Sequence, residues 1–478
     1  MSDTEAAAAR PNVIVILTDD QGYWALGAAG NDEIRTPNLD RLAAEGLRFE
    51  RLFCVSPVCS AARASLLTGT IPSRHGVHDW IRHGNSVGEQ PEGRLIPYLE
   101  GQVAYTDLLA AAGYDCGLVG KWHLGDSHHA QCSLEFPYVH ARGGGPYYGA
   151  PIITGPDSEG TEPRYITDAI TDAGLEYIDD HAGSVSPFYL SVHYTAPHSP
   201  WDRGQHPAEL FSEYYEGCDF ESVPHEPKAP SALPWTRFFD SPEDRREMLS
   251  GYYAAVTAMD AGVGRMLDRL EALGIRQRTL ILFTSDNGMN MGHHGICGKG
   301  NGTWPLNMFE TSVRVPALIS QPGSVPAGVV EPGLWSHYDV LPTLVEHLGL
   351  PEPDVPGLAG RSFAPLLRGE RPDESEQVVV FDEYGGTRMI RTHQHKLVHR
   401  YPDGPDELYD LDRDPEERRN LLGEPGLTHI REELLNRLDH WFERHADPAM
   451  DGAALPVTGR GQLDRVGAED AFAKEWGI

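Results

Sequence analysis

The chain has few of the features that mark several special classes of protein. It has six cysteines in 478 residues and no C-x-x-C pair, which argues against a disulfide scaffold. The longest early apolar run, residues 13–17, is too short to span a bilayer. Residues 1–11 contain no apolar signal core, so we predict a cytoplasmic protein whose residues 1–10 are disordered.

Basic residues are also scarce. Lysine and arginine number 39 against 71 aspartates and glutamates, which gives a formal net charge of −32. This charge argues against a nucleic acid or an anionic membrane as partner. It is also the wrong sign for an anionic substrate, so a site for such a substrate would need a few converging cations and a metal ion.

Apolar runs alternate with helical patterns over the first three quarters of the chain. Buried strands are predicted at residues 13–17, 187–193 and 279–284, and helices at residues 36–46 and 248–273. Such alternation predicts an α/β fold with a large, mainly parallel sheet flanked by helices on both faces.

The pattern changes after about residue 350, where proline-rich and acidic stretches suggest a linker. Four short strands follow, at residues 378–381, 388–391, 396–399 and 407–411, and then a helix at residues 430–445. We therefore predict a main domain over residues 11–370, a small antiparallel sheet with a helix over residues 371–447, and a tail over residues 448–478. The tail either wraps the main body or reaches a neighbouring subunit.

Pairs of side chains with carboxylate or amide oxygens follow two of the predicted central strands. Asp19 and Asp20 come after the first strand, and Asp286 and Asn287 after the strand at residues 279–284. Ligands bind at this edge of open α/β sheets. Either pair alone is typical of an ordinary turn. Two pairs on separate strands favour a divalent metal site, and an all-oxygen set with flexible geometry suits Ca²⁺ better than Mg²⁺.

Cys59 lies in a run of small residues that also contains Arg63. A lone cysteine in such a setting is usually a buried structural thiol. The alanines, leucines and arginine that follow favour helix, however, and place Cys59 at a helix N-terminus, which attracts anions. Arg63 lies four residues further on the same helix face, where its guanidinium could hold an oxyanion.

Four further basic residues have the chemistry of an anion site. Lys121 and His123 are two residues apart, so on an extended segment they point the same way and could supply a cation and a proton-transfer group. His198 lies between two prolines after a predicted strand, and Lys299 lies in a glycine-rich loop. Each residue alone is more often structural or solvated, so the hypothesis depends on their joint presence.

Together these motifs resemble type I sulfatases, from about residue 11 to residue 445. The most specific part is the signature at residues 58–69, in which family members carry a cysteine oxidised to Cα-formylglycine. Ala61 stands where most members carry proline, which leaves open how completely Cys59 is converted. The remaining matching segments are residues 19–20, 36–40, 120–125, 196–198, 285–288, 314–316 and 407–415.

The resemblance implies an alkaline-phosphatase-like fold and a set of site residues. It implies Ca²⁺, in preference to Mg²⁺ or Mn²⁺, and a formylglycine-generating maturation enzyme as a partner. The implied metal ligands are Asp19, Asp20, Asp286, Asn287 and the modified Cys59. The implied supports of the formylglycine hydrate are Arg63, Lys121 and His123, and the implied sulfate-binding and leaving-group residues are His198 and Lys299.

We therefore expect an arylsulfatase-like sulfuric ester hydrolase, with a sulfated carbohydrate as its substrate. The alternatives are a hydrolase of phosphonate monoesters or phosphodiesters at the same site, and a binding protein for sulfated ligands with an unmodified Cys59. Residues 79–83, 125–148, 201–202 and 293–294 are rich in aromatic and basic side chains and are expected to contact the leaving alcohol. A homo-oligomer is a further possibility.

Overall fold

The computed structural model describes residues 10–84, 95–155, 158–234, 236–372 and 380–475. The predicted disorder of residues 1–10 concerns residues that, except for Arg10, lie outside this part. The same holds for residues 373–379 of the predicted linker and first short strand. None of the helices in the described part combines the length and apolar character needed to cross a lipid bilayer.

Sixteen strands are present in the described part of the chain. They are β1 (Asn12–Thr18), β2 (Leu47–Phe53), β3 (Asp115–Lys121), β4 (Glu135–His140), β5 (Ala150–Gly155), β6 (Ser158–Glu162), β7 (Phe188–His193), β8 (Thr279–Ser285), β9 (Asn290–Met291), β10 (Cys297–Gly298), β11 (Arg314–Ser320), β12 (Val329–Ser336), β13 (Val380–Tyr384), β14 (Thr387–Arg391), β15 (His395–Arg400) and β16 (Glu407–Asp410).

Ten of these strands form one sheet in the order β12-β2-β11-β8-β1-β7-β3-β4-β5-β6. Strands β8, β1, β7, β3 and β4 run parallel, while β11 and the β5–β6 edge are antiparallel to their neighbours. The predicted central strands are therefore confirmed as β1, β7 and β8. All-apolar runs predicted them because such runs suit strands that are covered on both faces.

The helices of the described part cover the faces and the C-terminal region. They are α1 (Pro37–Ala44), α2 (Cys59–Thr68), α3 (Pro72–His75), α4 (Tyr105–Ala111), α5 (Ile166–His181), α6 (Ala208–Gly217), α7 (Pro242–Ala272), α8 (Glu310–Val313), α9 (Val340–His347), α10 (Ala364–Leu367) and α11 (Thr428–His445). Helix α7 begins six residues before the predicted start, because Ser241 caps it by accepting the backbone N–H of Asp244 and Pro242 follows at the first helical position.

The sheet separates two apolar layers. Val13 and Val15 of β1 pack on the side of helices α2, α4 and α9, while Ile14 and Ile16 pack on the side of α1, α5 and α7. This alternation follows from the two-residue period of a strand. The α/β class with a mainly parallel sheet is therefore confirmed.

The C-terminal part is a four-stranded antiparallel sheet in the order β13-β14-β15-β16, with α11 packed on β14 and β15. It joins the main body through a shared apolar cluster and through buried ion pairs. Glu310 of α8 lies 3.3 Å from both Arg391 and Lys396 of the small sheet. The predicted sheet-plus-helix unit is confirmed, and the described residues of the tail lie against the main body.

Candidate active site

Four predicted metal ligands meet at the carboxyl edge of the large sheet. Strands β1 and β8 are paired so that Thr18 lies opposite Ser285, which brings the residues after each strand together. The backbone N–H of Asp20 donates to Oδ1 of Asp286 at 3.2 Å. One ligand atom from each of Asp19, Asp20, Cys59 and Asp286 lies within 4.8 Å of the others, and all four residues are buried.

Cys59 is the first residue of helix α2, as predicted, and its side chain faces the acidic cluster. Its thiol donates to Oδ1 of Asp19 at 3.3 Å, and Nζ of Lys299 lies 2.7 Å from its Sγ. Burial, and then the Asp19 carboxylate, raise the pKa of Cys59 to about 12 against the opposing effect of the lysines. An unmodified thiol here is protonated at neutral pH and is a poor nucleophile.

Three buried cations balance the three carboxylates. Nζ of Lys121 lies 2.5 Å from Oδ2 of Asp19, Nε of Arg63 lies 2.9 Å from Oδ2 of Asp286, and Lys299 pairs with Asp20. Burial and Asp286 oppose ionisation of Asp19, but Lys121 and other nearby cations outweigh them and lower its pKa. The cations expected from the sequence are therefore assembled locally, in a chain that is acidic overall.

The donor set fits a hard divalent cation. Oδ1 of Asn287 is buried and has no hydrogen-bond partner among the described residues, while its Nδ2 donates to Oδ1 of Asp20 at 2.7 Å. A buried carbonyl oxygen without a partner is costly, and a metal ion would satisfy it. Carboxylate and amide oxygens are the ligands that Ca²⁺ and Mg²⁺ prefer.

Lys121 and His123 reach the site, but not for the reason inferred from the sequence. Strand β3 ends at Lys121, and His123 has a φ of 59°, so the segment is not extended between them. Nε2 of His123 lies 2.8 Å from the carbonyl oxygen of Ile81. Burial, and then the charges of Lys121 and Arg63, hold the pKa of His123 well below its ordinary value.

His198 lies at the open side of the cluster, on the turn that follows β7. Its Nε2 is 3.7 Å from Oδ2 of Asp20, and its side chain is 26% exposed. Its Nδ1 lies 2.9 Å from the carbonyl oxygen of Ser199, which fixes the ring orientation. The partly exposed ring therefore lies beside Asp20 at the edge of the acidic cluster.

A glycine run that our sequence interpretation passed over lies against these histidines. A Cβ added to Gly143 would lie 2.2 Å from Nε2 of His123, and one added to Gly144 would lie 3.0 Å from Cε1 of His198. Only glycine allows the backbone to approach the rings this closely. The available signal was three successive glycines at residues 143–145.

A cleft of 420 Å³ opens from the acidic cluster. The expected contacts at residues 201–202 line it, whereas two other expected residues pack elsewhere: His293 lies against Trp24 and His294 stacks on Phe309. The lining combines polar, charged and apolar groups, as a polar organic substrate requires. The lining includes Asp20, Trp201, Asp202, Arg237, Lys299 and Asn301.

The chain is similar to known proteins over most of its length. The Sulfatase family model matches residues 11–350, and a model described as N-sulphoglucosamine sulphohydrolase, C-terminal, matches residues 304–444. The chain is 27% identical to an N-acetylglucosamine-6-O-sulfatase of Bacteroides thetaiotaomicron, covering 92% of this chain and 87% of the relative. It is 30% identical to an ulvan-active sulfatase of Formosa agariphila, covering 90% and 80%.

A solved structure shares the fold at lower sequence identity. The phosphonate monoester hydrolase of Agrobacterium radiobacter superimposes with a TM-score of 0.70 and 22% identity, covering 92% of this chain and 96% of that one. At this level of identity the likeness shows the architecture alone.

Proposed function

The chain belongs to the sulfatase family and is a sulfuric ester hydrolase of alkaline-phosphatase-like fold, and we propose that it releases sulfate from a sulfated carbohydrate. The observation that carries the proposal is the buried cluster around Cys59. It contains three carboxylates, three cations and an amide oxygen that has no hydrogen-bond partner in the described part of the chain. The carbohydrate is supported by the sulfated saccharides named for two relatives and by the polar cleft beside Asp20.

Two groups that the family implies fit this cluster. The metal, for which we propose Ca²⁺, would be held by Asp19, Asp20, Asp286, Asn287 and the modified Cys59, and would supply positive charge for the nucleophile and the sulfate oxygens. Cys59, converted to formylglycine by a maturation enzyme that tolerates Ala61, would supply the attacking hydroxyl of a hydrated aldehyde.

The cations of the chain bind and orient the sulfate group. Lys299 contacts both Cys59 and Asp20, and Lys121 contacts Asp19, so both ammonium groups lie beside the reacting centre. Arg63 is anchored on Asp286 and on the carbonyl oxygen of Lys121, while its Nη2 is buried without a partner among the described residues. Fixed charges of this kind stabilise a transition state at little reorganisation cost.

Two histidines would move protons. Nδ1 of His198 donates to the carbonyl oxygen of Ser199, so donation from Nε2 to the leaving oxygen requires the doubly protonated ring. His123 is held neutral by burial and its cationic neighbours, and would accept a proton when sulfate is released from the enzyme. The two roles are separated because His198 is partly exposed and His123 is buried.

A matched substrate panel tests the proposed function. We expect sulfate release, followed by ion chromatography, from at least one sulfated mono- or disaccharide, with a larger kcat/KM for an aryl sulfate than for the aryl phosphonate of the same alcohol. The Cys59→Ala variant is the negative control for sulfate release. A faster phosphonate reaction would favour the phosphonate hydrolase, and release from small aryl sulfates alone would exclude the carbohydrate.

Replacement of His198 tests the leaving-group role. In His198→Ala, kcat for a saccharide sulfate should fall by ~10²–10⁴-fold, whereas kcat for nitrophenyl sulfate should fall by less than ~10-fold, because nitrophenolate leaves without a proton. Steady-state kinetics on both substrates with one preparation makes each substrate the control for the other. Equal losses on the two substrates would contradict the acid role.

A further inference from the structure

The C-terminal tail is bonded to a loop of the main body through Gln462, which is fully buried. Its backbone N–H donates to the carbonyl oxygen of Trp80 at 2.7 Å, and its carbonyl oxygen accepts the N–H of Arg82 at 2.9 Å. Its side chain accepts the N–H of His78 and donates to the carbonyl oxygen of Gly76, both at 2.9 Å. Gln462 therefore binds residues 76–82 like an added strand.

A second contact fixes the same loop. The buried carboxylate of Asp79 accepts the backbone N–H of Gly461 at 3.1 Å and of Trp80 at 2.8 Å. It also accepts the hydroxyl of Tyr384 at 2.5 Å, from strand β13 of the small sheet. The tail and the C-terminal sheet thus hold residues 76–82 together.

The opposite side of this loop contacts the active site through Ile81. The N–H of Ile81 donates to Oγ of Ser60 at 2.9 Å, and that hydroxyl donates to the carbonyl oxygen of His123 at 2.9 Å. The carbonyl oxygen of Ile81 lies 2.8 Å from Nε2 of His123. Ile81 is also the residue paired with Gln462 in a parallel bridge, so one residue separates the tail from His123.

The contact with Ile81 determines which nitrogen of His123 carries the proton. A carbonyl oxygen can only accept, so Nε2 of the neutral ring must be the donor and Nδ1 must have the lone pair. Nδ1 is buried and has no hydrogen-bond partner among the described residues. The Ile81 carbonyl therefore keeps the proton on Nε2 and the lone pair on Nδ1.

We propose that the tail is a positioning element for His123, with Gln462 as its positioning residue. Gln462 fixes Trp80 and Arg82 on either side of Ile81, and Ile81 fixes the orientation and the tautomer of the histidine. This inference rests on the proposed role of His123 in sulfate release. The positioning role therefore belongs to Gln462, in a segment whose sequence carries no motif.

A double-mutant cycle tests the coupling. Gln462→Ala should lower kcat for nitrophenyl sulfate by ~10–100-fold with kcat/KM changed by less than ~2-fold, because slow release of sulfate from the enzyme lowers kcat and KM together while the first chemical step is unaffected. In a His123→Ala background, the same substitution should change kcat by less than ~2-fold. Peptide mass spectrometry must show equal conversion of Cys59 in all four proteins, so that kcat reports on catalysis alone.

Arg465→Ala is the matched control, because Arg465 attaches the same tail to exposed Glu100 at 2.6 Å and should leave kcat unchanged. If Gln462→Ala fails to fold, Gly461→Ala replaces it in the cycle. Gly461 has a φ of 109°, where a Cβ strains the backbone, and that Cβ would lie 3.1 Å from Cβ of Arg82 and from Cε2 of Trp80, so Gly461→Ala disturbs the same loop while the Gln462 side chain is retained.

Two results would overturn the inference in different ways. An equal loss of kcat from Gln462→Ala in both backgrounds would show that the tail acts independently of His123, and no loss in either background would show that the tail does not affect catalysis. Full kcat in His123→Ala alone would instead refute the proposed role of His123, and with it the role of the tail. If His123→Ala lowers kcat and the effects of Gln462→Ala and His123→Ala are additive, the inference about the tail fails and the proposed function stands.

Discussion

Cys59→Ala is expected to abolish sulfate ester hydrolysis, with a loss of ~10⁴-fold or more in kcat, while the fold persists. Cys59 begins helix α2 and contacts Asp19 and Lys299, so its side chain lies at the centre of the charged cluster. Alanine favours helix and removes only the functional group of this side chain, which is the hydrated aldehyde after conversion. The loss therefore reports on the nucleophile and not on packing.

The measurement has two parts. In the wild-type protein, the peptide that contains Cys59 should be about 18 Da lighter than its unmodified mass, because a thiol has become an aldehyde. Activity should track the converted fraction. Cys132→Ala is the control, since Cys132 is partly buried and lies outside the site. Full activity with a peptide of unmodified mass, or activity retained in Cys59→Ala, would contradict the conversion of Cys59 to a formylglycine nucleophile.

Asp286→Asn is expected to weaken metal binding by ~100-fold or more and to lower kcat by ~10³-fold. Asp286 is fully buried, and its carboxylate also accepts hydrogen bonds from Arg63 and from the backbone of Asp20 and Asn287. Asparagine keeps the shape and one acceptor oxygen while removing the charge. Alanine would leave the Arg63 guanidinium buried without its partner and would confuse folding with metal binding.

Metal content after dialysis and titration with Ca²⁺, Mg²⁺ and Mn²⁺ would measure this effect, together with kcat at saturating metal. Asp260→Asn is the matched control, because Asp260 is a buried aspartate that bonds to Asn38 and Leu39 away from the cluster. Its metal affinity and kcat should equal those of the wild type. Unchanged metal affinity in Asp286→Asn would contradict the ligand role of Asp286.

Much of this site was predictable because it depends on local sequence. The apolar run of β1 followed by Asp19 and Asp20 determines both a central strand and its polar end, since a strand covered on both faces excludes charge until it leaves the sheet. The same reasoning applies to β8 with Asp286. Residues with high helix propensity after Cys59 predict its place at a helix start, which the structure confirms.

Only the tertiary structure decided how the remaining residues act. Alternation along an extended chain was the wrong reason for pairing Lys121 with His123, because β3 ends at Lys121 and His123 adopts a left-handed backbone. The close approach of Gly143 and Gly144 to the histidines was not inferred either. Gln462 bonds to His78 across 384 residues of sequence. Local periodicity indicates which face of a segment is buried, but the partner on that face is chosen by how distant segments pack.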